Sequence, residues 1–260
     1  MRRLEPALRT GASALGLEVS EPAVGRLLDY LELLLKWNRA YNLTAVREPE
    51  AMLTQHLLDS LAVLPPLQRH LAQCGAAPDG RRDLPPFSVL DVGSGAGLPG
   101  VVLAICCPGL QVDCVDTVAK KAAFITQTAL TLGLPNLRGL HARVENLHGP
   151  YDLICARAFA SLRDFTTWSG AALAPGGVWL ALKGKHPAQE LLELPPEIEM
   201  FHVEPLQVPG LDAQRCLLWL RQARALIPDE RRNSPRRGPD PQADSRPDQA
   251  PGQVRRRLPR

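Results

Sequence analysis

The stretch Val89-Leu90-Asp91-Val92-Gly93-Ser94-Gly95-Ala96-Gly97-Leu98-Pro99-Gly100 decides the fold of this 260-residue chain. A short apolar run with one acidic residue is followed by three glycines at alternate positions, and a helix can begin at Pro99, because proline suits the first helical turn. Glycine lets the backbone turn tightly and approach a ligand closely, and the start of a helix offers free N–H groups to an anion. The stretch therefore predicts a strand, a turn and a helix that bind a cofactor.

Strands and helices alternate along the chain from this stretch onward. Apolar runs bounded by turn residues predict strands at 88–92, 111–115, 137–141, 151–156 and 178–182, and later ones near 198–203 and 216–220. Helices are predicted at 99–106, 118–132 and 162–173. Repeated strand–helix units indicate a mostly parallel sheet with helices on both faces. Ligands bind such sheets at the carboxyl ends of the strands.

The residues before this region predict an N-terminal helical extension. A first helix begins at Ser20-Glu21-Pro22, carries an apolar stripe and is expected to end at Trp37. A second helix is predicted from Pro49 to Leu64, where Pro65-Pro66 is expected to stop it.

Composition divides the chain into four parts. We expect a helical segment packed on the core at 1–73, a linker loop at 74–86, a Rossmann-like core at 87–227 and a disordered tail at 228–260. From Asp229 onward the tail holds nine arginines against five acids, so the tail alone is more positive than the whole chain, whose formal net charge is +3. A segment so rich in arginine and proline has too few apolar residues to offset the entropy of ordering.

The bulk composition is that of an ordinary globular protein, with 45% hydrophobic and 22% charged residues. The chain has no apolar run near the roughly 20 residues that cross a bilayer. The six cysteines have no C-x-x-C spacing, which favours reduced thiols over a zinc site. We expect a cytoplasmic monomer with no metal and no membrane partner.

The glycine motif alone leaves the cofactor open between NAD and S-adenosylmethionine. Gly95-x-Gly97-x-x-Gly100 fits the dinucleotide fingerprint, with Asp116 about 20 residues onward to bind ribose hydroxyls. Three features favour S-adenosylmethionine. Asp91 stands before the glycines, and the turn Ala174–Gly177 opens the fifth strand. The region from Asp116 to Leu220 has room to finish one sheet but not for a separate dehydrogenase substrate domain. An NAD-dependent oxidoreductase, a small-molecule methyltransferase and a non-catalytic nucleic-acid-binding protein remain alternatives.

Five blocks of sequence then follow one another in a recognisable order. They are Trp37–Thr44, Gln55–Leu61, Asp91–Gly100, Arg157–Ser161 and Ala181–Gly184. In this order they resemble the glucose-inhibited division protein B family, whose members are bacterial methyltransferases of guanine N7 in small-subunit rRNA. The resemblance covers roughly residues 20 to 222 and excludes the tail. It implies a class I S-adenosylmethionine-dependent methyltransferase, an α/β fold with a seven-stranded sheet.

The glycine turn and the resemblance together imply the site residues. The expected S-adenosylmethionine-binding residues are Asp91, Gly93, Gly95, Leu98, Asp116, Thr117, Val144, Glu145 and Arg157. The expected catalytic residues are Arg143, Arg157 and Lys183, and the expected RNA-binding residues are Lys120, Arg143 and Lys183. The implied substrate is position 527 of 16S rRNA, in the 530-loop region, presented as free rRNA or as the small ribosomal subunit.

The chemistry of the acceptor fits the absence of an obvious acid–base pair in the sequence. Guanine N7 has an in-plane lone pair and no proton, so the enzyme must mainly align the reacting atoms. Phe159 or Trp168 has either a stacking role with the base or a role in the core. His56 and Asp59, one helical turn apart, either touch the pocket or form a structural pair.

Overall fold

The structure of the protein is a computed structural model that describes residues 1–75 and 86–223. Most of the predicted linker at 74–86 and all of the predicted disordered tail at 228–260 lie outside the described residues.

Within these residues, seven strands form one sheet in the order β3-β2-β1-β4-β5-β7-β6. They are β1 (Phe87–Val92), β2 (Leu110–Asp116), β3 (Leu137–His141), β4 (Tyr151–Arg157), β5 (Leu173–Lys183), β6 (Ile198–Leu206) and β7 (Arg215–Gln222). The first five strands are parallel to one another, and β7 is antiparallel to both β5 and β6. The predicted mostly parallel, Rossmann-like sheet is confirmed.

The fifth strand differs from its prediction. The sequence predicts a turn at 175–177 and a strand from 178, whereas β5 begins at Leu173, which pairs with Tyr151. The register between β4 and β5 shifts between Tyr151 and Leu153, and Gly176 has φ +79°. The expected turn is therefore an irregularity within a longer strand.

Nine α-helices accompany the sheet in the described ranges 1–75 and 86–223. They are α1 (Glu5–Ala14), α2 (Glu21–Tyr41), α3 (Pro49–Met52), α4 (Asp59–Leu61), α5 (Leu64–Gln73), α6 (Gly100–Cys106), α7 (Ala119–Leu132), α8 (Leu162–Ser169) and α9 (Ala188–Leu192). None of the described helices is both long and apolar enough to cross a membrane.

The N-terminal helices begin as predicted but end differently. Helix α2 begins at Glu21 but continues past Trp37 to Tyr41, and Asn42 in the left-handed conformation follows it. The Trp37 ring packs 5.4 Å from the Phe124 ring and 5.2 Å from the Tyr41 ring, measured between centroids. This packing against α7 explains why the helix continues beyond the tryptophan.

The second predicted helix, at 49–64, is divided in the structure. A π-helical turn at Leu53–Leu58 separates α3 from α4. Pro65 and Pro66 stand in the first turn of α5, so they begin a helix rather than end one, since proline lacks only an N–H that this turn leaves unbonded.

The two faces of the sheet bury different helices. Alternate residues along a strand point to opposite faces, and Val89 packs with the N-terminal helices, α6 and α7, whereas Leu90 packs with α8. Helix α2 also reaches the glycine turn, because the buried hydroxyl of Tyr30 donates to the carbonyl of Ala96 at 2.9 Å. The N-terminal segment therefore supports the loop after β1 directly.

Candidate active site

Two cavities lie at the carboxyl edge of the parallel strands and meet at Gly93. The first, of about 480 Å³, is lined by Asp116 and is called here the Asp116 cavity. The second, of about 470 Å³, is lined by Arg157 and is called the Arg157 cavity. Gly93 lines both cavities, so the turn after β1 is the boundary between them.

The carboxylate of Asp116 ends β2 and is fixed by backbone donors. Gly95 N–H donates to Oδ2 at 3.0 Å, and Val118 N–H donates to Oδ1 at 2.9 Å. Lys121 Nζ lies 3.4 Å from Oδ2. A carboxylate accepts about four hydrogen bonds, so one lone pair of Asp116 stays available to a ligand hydroxyl. The position agrees with the predicted ribose contact, which stays a prediction.

The other predicted residues of the Asp116 cavity come from the ends of β2 and β3. Thr117 follows Asp116, and Arg143, Val144 and Glu145 follow β3 at a 3₁₀ turn. Val144 is buried, whereas the side chains of Arg143 and Glu145 are exposed and 4.0 Å apart. The cavity thus has an apolar wall and a charged rim.

Aromatic side chains close the Asp116 cavity from the side of α8. Phe159 and Trp168 line it with ring centroids 6.0 Å apart, and Trp168 is 38% exposed. Phe159 also packs edge-to-face with Phe165 of the core. Both rings therefore line the space open to a ligand, and Phe159 supports the core as well, whereas Trp168 is exposed.

The predicted residues Gly95, Leu98, Arg157 and Lys183 line the Arg157 cavity. Arg157 ends β4, and its Nη1 donates to the carbonyl of Gln55 at 3.0 Å and to Asp59 Oδ2 at 2.9 Å. Arg157 is therefore fixed against the N-terminal helices.

His56 and Asp59, whose role the sequence leaves open, also line the Arg157 cavity. His56 Nε2 lies 2.9 Å from Thr44 Oγ1. Burial, and secondly the positive charge of Arg157, lower the pKa of His56. The two residues belong to the pocket wall, and Asp59 pairs with arginines rather than with His56.

Asp91 differs from the other predicted cofactor residues because it lines neither cavity. It is fully buried, and its Oδ2 accepts the N–H of Gly100 at 2.8 Å at the start of α6. Burial raises the pKa of Asp91 to about 7. This geometry supports the loop-holding role that the sequence suggests for Asp91; a contact with cofactor stays a prediction.

The two predicted RNA-binding lysines lie in different surroundings. Lys120 is exposed in the first turn of α7 and lines neither cavity. Lys183 is largely buried, and its Nζ donates to Glu190 Oε2 at 2.8 Å and to the carbonyl of Ala160 at 3.2 Å. Glu190 is a partner that the sequence analysis missed, because α9 gives no motif that predicts this contact.

Arg215 is a second residue that the sequence analysis missed. It begins β7 and lines the Arg157 cavity, where its Nε donates to Asp59 Oδ1 at 2.8 Å. Because β7 is antiparallel to β5, its first residue lies at the edge where the parallel strands end. The available signal was an arginine directly before the apolar run at 216–220.

The site fits a nucleoside that carries an amino-acid arm. A Cβ built on Gly95 would have no neighbour closer than 4.0 Å, so the turn leaves open space for a ligand beside its backbone. The Asp116 cavity offers apolar and aromatic walls and a carboxylate, which suit adenosine. The adjoining Arg157 cavity offers a guanidinium group, which suits a carboxylate. Among the described residues, no cluster of His, Cys, Asp and Glu could hold a metal ion.

The chain is similar to known proteins over most of its length. The model of the GidB family, described as rRNA small subunit methyltransferase G, matches residues 24–218. Proteins named ribosomal RNA small subunit methyltransferase G from Acidovorax ebreus and Paracidovorax citrulli are 64% and 62% identical, over 84% of this chain and over 95% and 90% of theirs. Among solved structures, TrmN from Thermus thermophilus has a TM-score of 0.48 at 22% identity, covering 66% of this chain and 53% of that one.

Proposed function

Because this chain belongs to the family of rRNA small subunit methyltransferase G, we propose that it methylates N7 of a guanine in 16S rRNA, with S-adenosylmethionine as donor. The observation that carries the proposal is that two cavities share Gly93 as their boundary. The Asp116 cavity holds the residues predicted for the adenosine, and the Arg157 cavity holds those predicted for the amino-acid arm and is open to a base. We place the protein in the cytoplasm as a monomer that acts on small subunits or on their rRNA.

The residues of the Asp116 cavity would hold the adenosine part of the donor. Asp116 would accept a ribose hydroxyl, with Val144, Glu145 and Thr117 around the adenine and ribose. Gly93, Gly95 and Leu98 would support the amino-acid arm, and Arg157 would bind its carboxylate. When bound, S-adenosylmethionine supplies a methyl group on a positively charged sulfur.

The Arg157 cavity is suited to an acceptor that has no proton to lose. Its only carboxylate among the described residues, Asp59, is bound by two arginines. Its imidazole, His56, is buried and bonded to Thr44. Guanine N7 needs no general base, so these residues are free to orient the base and exclude water, and alignment provides the acceleration.

The rim of the two cavities carries cations for the RNA backbone. Arg143, Lys121 and Lys183 line the cavities, and Lys120 is exposed beside them. Phosphate contacts by such side chains position RNA without reading its sequence. A guanine unstacked from its neighbours would then enter the Arg157 cavity.

The proposal is tested by methyl transfer to small subunits from cells that lack this modification. We expect radiolabel from S-adenosylmethionine to enter 16S rRNA at a single guanine. Subunits reconstituted with 16S rRNA in which 7-deazaguanosine replaces that guanine have no N7 nucleophile, so transfer should stop. Transfer that persists on the 7-deaza RNA would show that another atom is methylated.

Calorimetry distinguishes S-adenosylmethionine from NAD as the cofactor. We expect S-adenosylhomocysteine to bind and NADH to give no heat. Binding of NADH alone would instead favour an oxidoreductase, and S-adenosylhomocysteine binding without any methyl transfer would favour a non-catalytic RNA-binding protein.

A further inference from the structure

A single buried carboxylate joins three parts of the molecule at the Arg157 cavity. Asp59 lies on α4, directly after the π-helical turn, and only 4% of its side chain is exposed. Its Oδ2 accepts from Arg157 at the end of β4, and its Oδ1 accepts from Arg215 at the start of β7. The two arginines come from strands on either side of β5.

The two arginines differ in how much they depend on Asp59. Arg157 also donates to the carbonyl of Gln55, which belongs to the N-terminal helical segment. The other bond of Arg215 goes to the carbonyl of Gln214, its neighbour in sequence. A bond to a neighbouring residue moves with the chain and does not fix the side chain relative to α4. Asp59 is therefore what ties Arg215 to the rest of the site.

Arg215 lies at the junction of the Arg157 cavity and a groove of about 840 Å³. Arg215 and Gly184 line both spaces, and Lys185 and His186 also line the groove. Among the described residues, Arg215 Nη2 has no hydrogen-bond partner, and 27% of the side chain is exposed. A guanidinium with a free N–H at the mouth of a cavity suits a phosphate oxygen.

We propose that Asp59 is a positioning residue that holds Arg215 at the cavity mouth, where Arg215 binds a phosphate of the RNA strand beside the target guanine. The inference rests on the proposed function for the identity of the RNA. One carboxylate between two guanidinium groups offsets their mutual repulsion and leaves one net positive charge facing the strand. The bound strand would run along the groove beside Gly184 and Lys185.

The test is a double-mutant cycle of Asp59→Asn and Arg215→Gln, measured as KM for unmethylated small subunits. Asparagine keeps the size of Asp59 but removes its charge and one acceptor. We expect each single variant to raise KM about tenfold, with kcat changed less than about threefold. In the Asp59→Asn background, Arg215→Gln should add less than about threefold, because residues that act as a unit are not additive.

The matched control is Asp113→Asn. Asp113 is also a buried carboxylate bound by an arginine, Arg138, at 2.7 Å and by the hydroxyl of Tyr151 at 2.7 Å, but it lines neither the Arg157 cavity nor the groove. We expect Asp113→Asn to lower the melting temperature and leave KM unchanged. An equal rise in KM for this variant, or fully multiplicative effects in the cycle, would overturn the proposal.

A binding measurement separates this inference from the proposed function. The same four proteins are compared by their equilibrium binding to small subunits, a measurement that needs no methyl transfer. A wild-type protein that binds subunits but transfers no methyl group refutes the activity and leaves the cycle interpretable. If Asp59→Asn fails to fold, Arg215→Gln alone should reduce the slope of log K against log salt by about one. An unchanged slope would refute the phosphate contact.

Discussion

Gly93 and Phe159 are packed so closely that position 93 has no room for a side chain. A Cβ built on Gly93 would lie 2.4 Å from Phe159 Cδ2. Gly93 also has φ +62°, in the left-handed region. Because Gly93 borders both cavities, this packing fixes the boundary between the cavity expected to hold adenosine and the cavity expected to hold the amino-acid arm and the guanine.

Gly93→Ala should therefore destabilise the protein by more than the cost of placing alanine in a left-handed backbone conformation. The control is Gly133→Ala, where φ is +61° but a Cβ would meet no atom within 4 Å. We expect the control to lose about 1 kcal/mol of unfolding free energy. Gly93→Ala should lose more and weaken S-adenosylhomocysteine binding about tenfold or more, because the displaced Phe159 ring enters the cavity. Denaturant unfolding and calorimetry measure both effects, and equal losses in the two variants would contradict this prediction.

The sequence predicts those parts of the site that follow a general rule of parallel sheets. Gly93, Asp116 and Arg157 each lie at the carboxyl end of a strand, and such ends meet at one edge. Arg215 breaks this pattern, because its strand runs antiparallel and presents its first residue to that edge. A strand's direction depends on its pairing partner, which local periodicity does not reveal.

The contacts between distant segments could not be predicted at all. The pairs Lys183–Glu190 and Asp59–Arg215 depend on where α9 and α4 pack. Similarly, a proline pair looks the same in sequence whether it ends one helix or begins the next. The prediction that Pro65-Pro66 ends a helix is therefore wrong, because the pair begins α5. Tertiary packing decides such cases.

Glu190→Gln should strengthen RNA binding at low salt. Lys183 is bound to Glu190 at the edge of the Arg157 cavity, so neutralising the glutamate releases a positive charge toward the RNA. The amide oxygen of the introduced glutamine can still accept the N–H of Leu162, which donates to Glu190 at 2.7 Å in the wild-type protein. A partly exposed pair is worth up to about 1 kcal/mol, so we expect KM for small subunits to fall about two- to fivefold. Lys183→Gln should raise it; a change in the same direction for both variants would refute this role of the pair.

Trp168 should report occupancy of the Asp116 cavity. Among the described residues, Trp168 is the only tryptophan that lines either cavity, and it lines the Asp116 cavity. Trp179 and Trp219 are buried elsewhere. We expect tryptophan fluorescence to change on titration with S-adenosylhomocysteine and to saturate at the calorimetric dissociation constant. Trp168→Phe should abolish the signal and change affinity by less than about tenfold, since an aromatic wall remains. A full signal in that variant would place the ligand elsewhere.

Asp91→Asn should remove a pH dependence of stability that burial creates. Burial raises the pKa of Asp91 from 3.8 to about 7, against the opposing hydrogen bond from Gly100. The folded state therefore holds the proton more tightly than the unfolded state, so the contribution of Asp91 to stability is most favourable below pH 3.8 and is lost as the pH rises toward about 7.

Asparagine does not titrate and keeps an oxygen for the Gly100 N–H. The difference in unfolding free energy, variant minus wild type, should rise by about 4 kcal/mol between pH 4 and pH 8. Taking the difference between the two proteins cancels the contributions of the other titrating groups to the unfolding free energy. Denaturant unfolding at both pH values measures this difference. A difference that stays constant across this range would mean that folding does not raise the pKa of Asp91.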